Sequence, residues 1–421
     1  MNLAIIGSGG REHAICFKLR QSNKIKNLFC IPGNAGTSEI AENIQVNISD
    51  FEEIYKEIKK NSIDIVLIGP EQPLVDGIVD FLNERNVKVF GPNKFASQLE
   101  GSKSFMKNLC KTFKIPTAKF EVFDNLEKAK KFIDTCKTPI VVKADGLAAG
   151  KGVAICKTSK DALVKTKEII EGKFASSRKV VLEEFLEGEE LSYFVVVDNN
   201  SYQFFGSAQD HKRVGEGDSG PNTGGMGAYS PAKILTKSLE KKINKKIIEP
   251  TLSAIKQLGS SYKGFLYAGL MIKDDEPYLI EYNIRMGDPE CQVIMLRLEN
   301  DLTDIILHTL KDSLDDLRIK WKEKECMTIV LCAKGYPGDY IKDSEIKNLS
   351  GIEINSKSQI FHAGTYKKDK KIFSSGGRVL NITCSGKDLL EAREYCIENL
   401  EKINWKSGFY RKDIGWRAIK K

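Results

Sequence analysis

A chain of 421 residues, 41% hydrophobic and 29% charged, has enough apolar material for roughly two to four packed domains, and wholesale disorder is excluded. Its 65 Lys and Arg against 57 Asp and Glu leave a net charge of +8. That excess is too modest and too dispersed for a dedicated nucleic-acid binder, but it suits anionic small molecules.

The ten cysteines are scattered without a C-x-x-C pair, which points to reduced thiols rather than zinc or redox sites. No apolar run approaches the roughly 18 residues of a membrane span. MNLAIIGSGG begins as a strand, without a basic leader or a cleavage site. The chain therefore reads as cytoplasmic, with neither membrane nor nucleic acid as a partner and no obligate protein partner inferred.

Residues 1–100 alternate apolar runs at Leu3–Ile6, Asn27–Ile31, Ile63–Ile68 and Val87–Phe90 with helical patterns near 11–21, 51–60 and 73–85. Such alternation predicts a parallel α/β domain whose ligands gather at strand carboxyl ends. A helical connector over 101–119 ends at Ile115-Pro116, since proline disfavours helix in the residue before it. Residues 120–190 predict a small lid with strands Pro139–Lys143, Val153–Cys156 and Lys179–Glu184, a helix near 159–171, and a mobile LAAGKG flap.

Within 191–320, strands crowd at Leu191–Asp198, Tyr202–Ser207, Phe265–Lys273 and Tyr278–Asn283, with a helix carrying Leu239, Ile243 and Ile247. Residues 321–421 predict a C-terminal α+β domain with strands Met327–Ala333, Ile360–Gly364 and Arg378–Thr383 and a closing helix at 386–401. The predicted class is α/β, with a two-part central domain between the terminal ones.

The segment Gly7-Ser8-Gly9-Gly10-Arg11-Glu12-His13 sits at a strand-to-helix turn, where glycines and helix N–H groups suit a phosphate. Glu12 stands where a dinucleotide fingerprint needs its third glycine, which weakens an NAD reading; a tight turn without ligand stays open. In VVKADGLAAGKGV, Lys143 and Lys151 belong to a strand end and a glycine-rich loop, an arrangement suited to polyphosphate but unlike Walker A. The competing reading is a flexible hairpin. EEFLEGEE, at 183–190, can offer a purine edge its backbone and a ribose its carboxylate, or be a solvated acidic turn.

Strand periodicity puts Glu281, Asn283 and Arg285 on one face and Tyr282 and Ile284 on the other. A carboxylate and an amide oxygen are hard donors appropriate to magnesium, and Arg285 beside them is placed to stabilise charge on a transferring phosphoryl group. Six glycines between 215 and 227 follow QDHKR and predict a substrate loop or a floppy connection. The four histidines lack ligand spacing, and no nucleophile elbow is present.

In this order the motifs GSGGREHA, PGNAGT, GPEQPLVDGI, EGSKSFMK, VVKADGLAAGKGV, LEEFLEGEELS, QDHKR, GPNTGGMGAYSP, EYNIRMGDPE, HAGT, SGGRVL and DIGWRA resemble the phosphoribosylamine–glycine ligases, a purine-biosynthetic branch of the ATP-grasp enzymes. The likeness spans nearly the full length; Met286 stands where that family more often has an aromatic.

The resemblance implies a two-part ATP-grasp domain with a lid. The implied reaction converts ATP, glycine and 5-phosphoribosylamine to glycinamide ribonucleotide, ADP and phosphate through glycyl phosphate, with Mg²⁺ or Mn²⁺. It implies that Lys103 and Lys143 contact ATP phosphates, Lys143 and Arg285 serving catalysis. Gly150, Lys151 and Gly152 would form the flap, Glu183, Glu184 and Phe185 the adenine hinge, and Glu190 the ribose contact, with Glu281 and Asn283 as metal ligands. Gly9, Gly10, Arg11, Glu12, Asn34, Ala35 and Gly36, with Pro70 and Glu71, would face phosphoribosylamine, and Asp210, Gly287 and Asp288 the reacting groups. Another ATP-grasp ligase, an NAD oxidoreductase and a non-catalytic nucleotide-binding module are the alternatives.

Overall fold

The apolar runs of the N-terminal segment pair as a parallel sheet: β1 (Asn2–Gly7), β2 (Asn27–Pro32), β3 (Glu42–Asn43), β4 (Ile65–Ile68) and β5 (Lys88–Phe90), in the order β3-β2-β1-β4-β5. β4 is buried along its whole length, as a parallel strand covered on both faces must be. The computed structural model describes residues 1–148, 152–174 and 178–419; the expected flap residues Gly150 and Lys151 lie outside them.

Helices α1 (Gly10–Leu19), α2 (Phe51–Lys60), α3 (Glu71–Asp76) and α4 (Ile78–Asn83) return the chain between strands. The helix expected over 73–85 is two helices, because Gly77 at φ 101° breaks it, a conformation that favours glycine. Arg11 and Glu71 open the helices that follow the adjacent central strands β1 and β4. Both therefore stand at strand carboxyl ends, where open α/β sheets gather ligands.

The connector folds as α5 (Gln98–Gly101) and α6 (Lys103–Phe113). The lid is a four-stranded antiparallel sheet of β6 (Phe120–Phe123), β7 (Ile140–Ala144), β8 (Val153–Cys156) and β9 (Val180–Glu184), ordered β6-β9-β7-β8. It is backed by α7 (Leu126–Ile133) and α8 (Ser159–Ile170), whose first turns are capped by Asn125 and Thr158. Ile133, Val142, Ala162 and Leu182 belong to a core cluster of the lid's own.

The larger sheet begins with β10 (Glu189–Val197) and β11 (Tyr202–Asp210). The glycine-rich stretch expected as a loop instead forms a hairpin, β12 (Arg213–Gly215) and β13 (Ser219–Asn222), and then β14 (Gly227–Ser230). α9 (Lys237–Ile243), a π turn over Asn244–Ile248 and α10 (Glu249–Gln257) carry the expected apolar stripe inward. They lead to β15 (Gly264–Lys273) and β16 (Glu276–Asn283), and then to α11 (Glu290–Arg297) and α12 (Leu302–Leu310).

The C-terminal part adds β17 (Glu325–Ala333), β18 (Glu345–Ile346), β19 (Ser358–His362), β20 (Thr365–Lys368), β21 (Lys371–Ser374) and β22 (Arg378–Gly386). α13 (Leu389–Lys402), β23 (Gly408–Phe409) and α14 (Trp416–Ile419) close the chain's described part. One sheet crosses the expected boundary at residue 320, running β16-β15-β10-β11-β14-β17-β22-β19 with β23 paired to β17. β14 is the stitch, antiparallel to β11 on one side and β17 on the other. Among the described residues no helix is long and apolar enough to cross a membrane.

The stitch depends on close approach: a Cβ on Gly227 would lie 2.6 Å from the Thr328 carbonyl oxygen and 2.9 Å from Ile414. Gly227→Val is therefore expected to lower the unfolding temperature followed by circular dichroism by at least about 2 °C. An unchanged transition would contradict this role for the strand.

Candidate functional site

An open cleft of about 470 Å³ lies between the parallel domain, the lid and the carboxyl end of β16. Glu281, Asn283 and Arg285 all line it, and so does Tyr282, although Tyr282 and Ile284 are 1% exposed and join the main apolar core. Among the described residues neither the Glu281 carboxylate nor the Asn283 amide has a hydrogen-bond or ion-pair partner. Burial alone would raise the Glu281 pKa; Lys212, Lys143 and Lys103 outweigh it and hold the carboxylate below its usual range.

The result is a charged oxygen beside a neutral one, both hard donors and neither satisfied by protein. That set fits a divalent ion which keeps most of its positions for water and phosphate. Among the described residues no group of three or more His, Cys, Asp or Glu could hold a metal by itself.

Arg285 lines the cleft and is also braced by protein groups. Its guanidinium pairs with Glu71 at 3.1 Å and with Glu100 at 2.8 Å, and donates to the Met286 carbonyl. Glu100 also accepts the Ile284 N–H at 2.8 Å, so the connector clamps the backbone beside the Glu-x-Asn pair. The arginine expected to serve catalysis thus also links the first domain, the connector and the segment after β16.

The lysines are also engaged. Lys103 Nζ donates to the Gly146 carbonyl at 2.9 Å, and burial is the main influence lowering its pKa. Asp145 accepts from Ser104 N–H at 3.1 Å and from Ser104 Oγ at 2.6 Å, which ties the start of the flap loop to the first turn of α6. Lys143 Nζ lies 3.0 Å from Glu183 Oε2.

The Glu183 side chain therefore turns towards Lys107 and Lys143. β9 sits between β6 and β7, and the inward face of that strand meets α6. Glu184 is exposed and accepts the Lys119 N–H, and Phe185 is half-buried. Glu190, expected to be free for a ribose, reaches Lys212 Nζ at 2.7 Å. Lys212 and Asp210 line the cleft; burial pushes the Asp210 carboxylate up to about 7 against the pull of Lys212. Gly152 lines the cleft too, and a Cβ there would meet Ala148 at 2.6 Å.

The first-domain residues divide. Arg11, Pro70 and Glu71 line the main cleft, with Gly287 and Asp288 opposite. Gly9 and Asn34 instead line a second cleft of about 330 Å³ shared with Thr365, Ser375 and Gly376. Arg378 and Asp288, 3.3 Å apart, line both. At the N-terminus of α1, where an anion position is expected, Glu12 accepts the Gly9 N–H at 2.6 Å and pairs with Arg11 at 2.5 Å.

Asn34 is a structural hub. Its amide donates to the Ser8 and His362 carbonyls, both at 2.8 Å, and its Oδ1 accepts the Gly36 and Thr37 N–H groups. Gly10 packs against Asn381 and Gln292, Gly36 against His13, and Ala35 is 3% exposed. None of these three presents a group to the main cleft. The sequence reading missed Glu100, Tyr267, Glu290, Tyr336 and Arg378, which line it. Glu100 opens EGSKS and Arg378 ends SGGR, so the motifs flagged their neighbourhood without showing which atoms face the cleft.

A small antiparallel lid over a larger antiparallel sheet, with ammoniums facing a Glu-x-Asn pair across the cleft, is the ATP-grasp arrangement. Family profiles match the chain along most of its length: Phosphoribosylglycinamide synthetase, N domain, over residues 1–100; ATP-grasp (A) domain over 101–291; and C domain over 326–417. The chain belongs to the phosphoribosylglycinamide synthetase family.

A phosphoribosylamine–glycine ligase of Brucella melitensis is 46% identical over 422 residues, covering 100% of this chain and 99% of the relative. The chloroplastic ligase of Arabidopsis thaliana is also 46% identical, over 97% of this chain and 79% of its own. The crystal structure of the Thermotoga maritima ligase superposes with a TM-score of 0.87 at 35% identity, covering 98% of this chain and 100% of that one. A biotin carboxylase domain from Hydrogenobacter thermophilus, crystallised with MgADP, shares the fold with a TM-score of 0.73 at 16% identity, over 97% of this chain and 91% of that one.

The two partners of Arg285 titrate in opposite senses. Arg285 holds Glu71 down to about 2, whereas burial pushes Glu100 up to about 7 despite the same guanidinium. The side chains are 30% and 9% exposed, and that difference in desolvation decides the outcome. Folded Glu100 keeps a proton that the unfolded chain sheds near 4.5, so its stability cost grows as pH rises from there to about 7. Glu71 contributes stability that is present above 4.5 and lost as pH falls towards 2. Glu100→Gln removes only the first effect, and the variant's unfolding temperature is expected to gain on the parent's between about pH 5 and 8. A difference that stays level or shrinks over that interval would refute the assignment.

Proposed function

We propose that this chain is an ATP-dependent ligase that joins glycine to 5-phosphoribosylamine, giving glycinamide ribonucleotide, ADP and phosphate, the second step of purine biosynthesis. Full-length kinship with phosphoribosylamine–glycine ligases supports the substrates. The observation that carries the chemistry is the pair of unpartnered oxygens on Glu281 and Asn283 facing Lys103, Lys143 and Lys212.

A carboxylate does not condense with an amine at neutral pH without activation. A glycine carboxylate oxygen attacks the γ-phosphorus of ATP, the bond to the β-phosphate oxygen breaks, and ADP leaves. The phosphoribosylamine nitrogen then attacks the glycyl carbonyl carbon, the carbon–oxygen bond to phosphate breaks, and the nitrogen gives up a proton. No protein nucleophile is needed; alignment and charge neutralisation supply the acceleration.

Glu281 and Asn283 would hold Mg²⁺ or Mn²⁺, which when bound neutralises phosphate charge and orients its oxygens. Lys103 and Lys143 reach the nucleotide phosphates from the connector and the lid. Asp210, titrating near neutrality on the cleft wall, is suited to accept the amine proton. Arg11, Pro70 and Glu71 lie on the side assigned to phosphoribosylamine, and Arg285 links that side to the metal strand. Closure of the lid over the cleft keeps water from the acyl phosphate.

An ADP-release assay with freshly generated phosphoribosylamine, omitting each substrate in turn, tests the reading. Turnover is expected only with ATP, glycine, phosphoribosylamine and a divalent ion together. Dependence on another acid or amine would assign a different ligase, and nucleotide binding without turnover a non-catalytic module. Glu281→Ala is expected to cut metal-dependent turnover at least about a hundredfold with an unchanged circular dichroism spectrum; parent-like activity would remove the metal assignment.

A further inference from the structure

Lys107 takes no part in the chemistry above, yet its side chain is 0% exposed. It lies on the inner side of α6, with Nζ 3.0 Å from Glu183 Oε2 and 2.6 Å from Thr117 Oγ1. Thr117 in turn donates to the Leu279 carbonyl on β16 at 2.6 Å. Lys143 Nζ lies 3.0 Å from the same Glu183 Oε2, while Glu183 Oε1 is buried without a partner. Two ammoniums thus share one oxygen of one carboxylate, in a place where Glu183 and Lys143 are 4% and 5% exposed.

A buried ion is costly unless it is paired, so one carboxylate with one lysine would be the economical arrangement. A lone Glu183–Lys143 pair would be neutral, and at low dielectric the carboxylate would hold the lysine tightly. A second cation on the same oxygen changes both facts. The trio carries a net positive charge, and Lys107 takes up part of the attraction that Glu183 would otherwise direct entirely at Lys143.

We propose that Lys107 is a positioning residue that satisfies Glu183 so that Lys143 keeps its charge available to the nucleotide phosphates. The inference rests on the assignment of Lys143 to ATP, and it gives the buried Glu183 carboxylate a role. The Thr117 and Leu279 links hold Lys107 in register with β16, so the charge balance of the lid is set from the strand that bears Glu281 and Asn283.

The test is a double-variant cycle read as MgATP affinity by titration calorimetry in the absence of glycine. Lys107→Met is expected to weaken binding about tenfold, because Glu183 then closes on Lys143. Lys107→Met with Glu183→Gln restores a single net positive charge and is expected to return affinity to within about threefold of the parent. In steady state, Lys107→Met raises KM for ATP more than it lowers kcat. If Lys107→Met alone unfolds, Glu183→Gln and the double variant carry the same test, since removing Lys107 then costs little ATP affinity.

Loss of affinity that the second substitution fails to relieve is what a purely structural Lys107 would give, and it would overturn the inference; so would parent-like binding by Lys107→Met. Lys143→Met separates the two levels. Unchanged MgATP binding in that variant overturns the assignment of Lys143 itself, whereas weakened binding there with failed rescue overturns only the role of Lys107.

Discussion

Glu281 is the point on which the site turns: a half-buried carboxylate on the cleft wall that stays charged because three lysines from three different elements face it. Each lysine arrives by a separate route, Lys103 from the connector, Lys143 from the lid and Lys212 from the turn after β11. The balance between their attraction and the cost of burial can be maintained only if those elements keep their places. Much of the remaining polar architecture serves that requirement. Asp145 pins the lid to α6, Glu100 pins the connector to the backbone after Asn283, and Arg285 joins both to the first domain.

The arrangement divides its charges between those that hold and those that act. Arg285, Glu12 and Asn34 look from the sequence like ligand contacts, and each also makes hydrogen bonds within the protein. Glu281 and Asn283 look similar on paper, yet their side chains make none among the described residues. An unpartnered pair beside three ammoniums stands out against the hydrogen-bonded polar groups around it.

Local periodicity made many strands legible, because buried parallel strands such as Ile65–Ile68 are short apolar runs. The alternation at residues 281–285 placed three polar side chains on one face, and that is how they lie. β6 escaped notice because FEVF is only partly buried and weakly patterned, and β14 because its glycines signal a loop until a partner strand is known.

Side-chain commitments were the least legible layer. Arg285 finds Glu71 and Glu100 across some two hundred residues of chain, and Glu183 turns inward because α6 and Lys107 lie beneath it. Neither fact is written in the motif that contains the residue. Sequence spacing reports which side of an element a residue occupies; which neighbour meets it there is decided by topology.

That topology also constrains how the chain is made. β14 borrows one neighbour from β11, just behind it, and the other from β17, which the ribosome adds about a hundred residues later. Until β17 and β22 emerge, the nascent sheet has an open apolar rim of backbone donors and acceptors, the template on which unrelated strands aggregate. A fragment ending before Glu325 would keep Glu281, Asn283 and the three lysines but leave that rim bare. The C-terminal strands therefore act as a built-in seal for the sheet that carries the metal strand, as well as supplying Arg378 to the cleft.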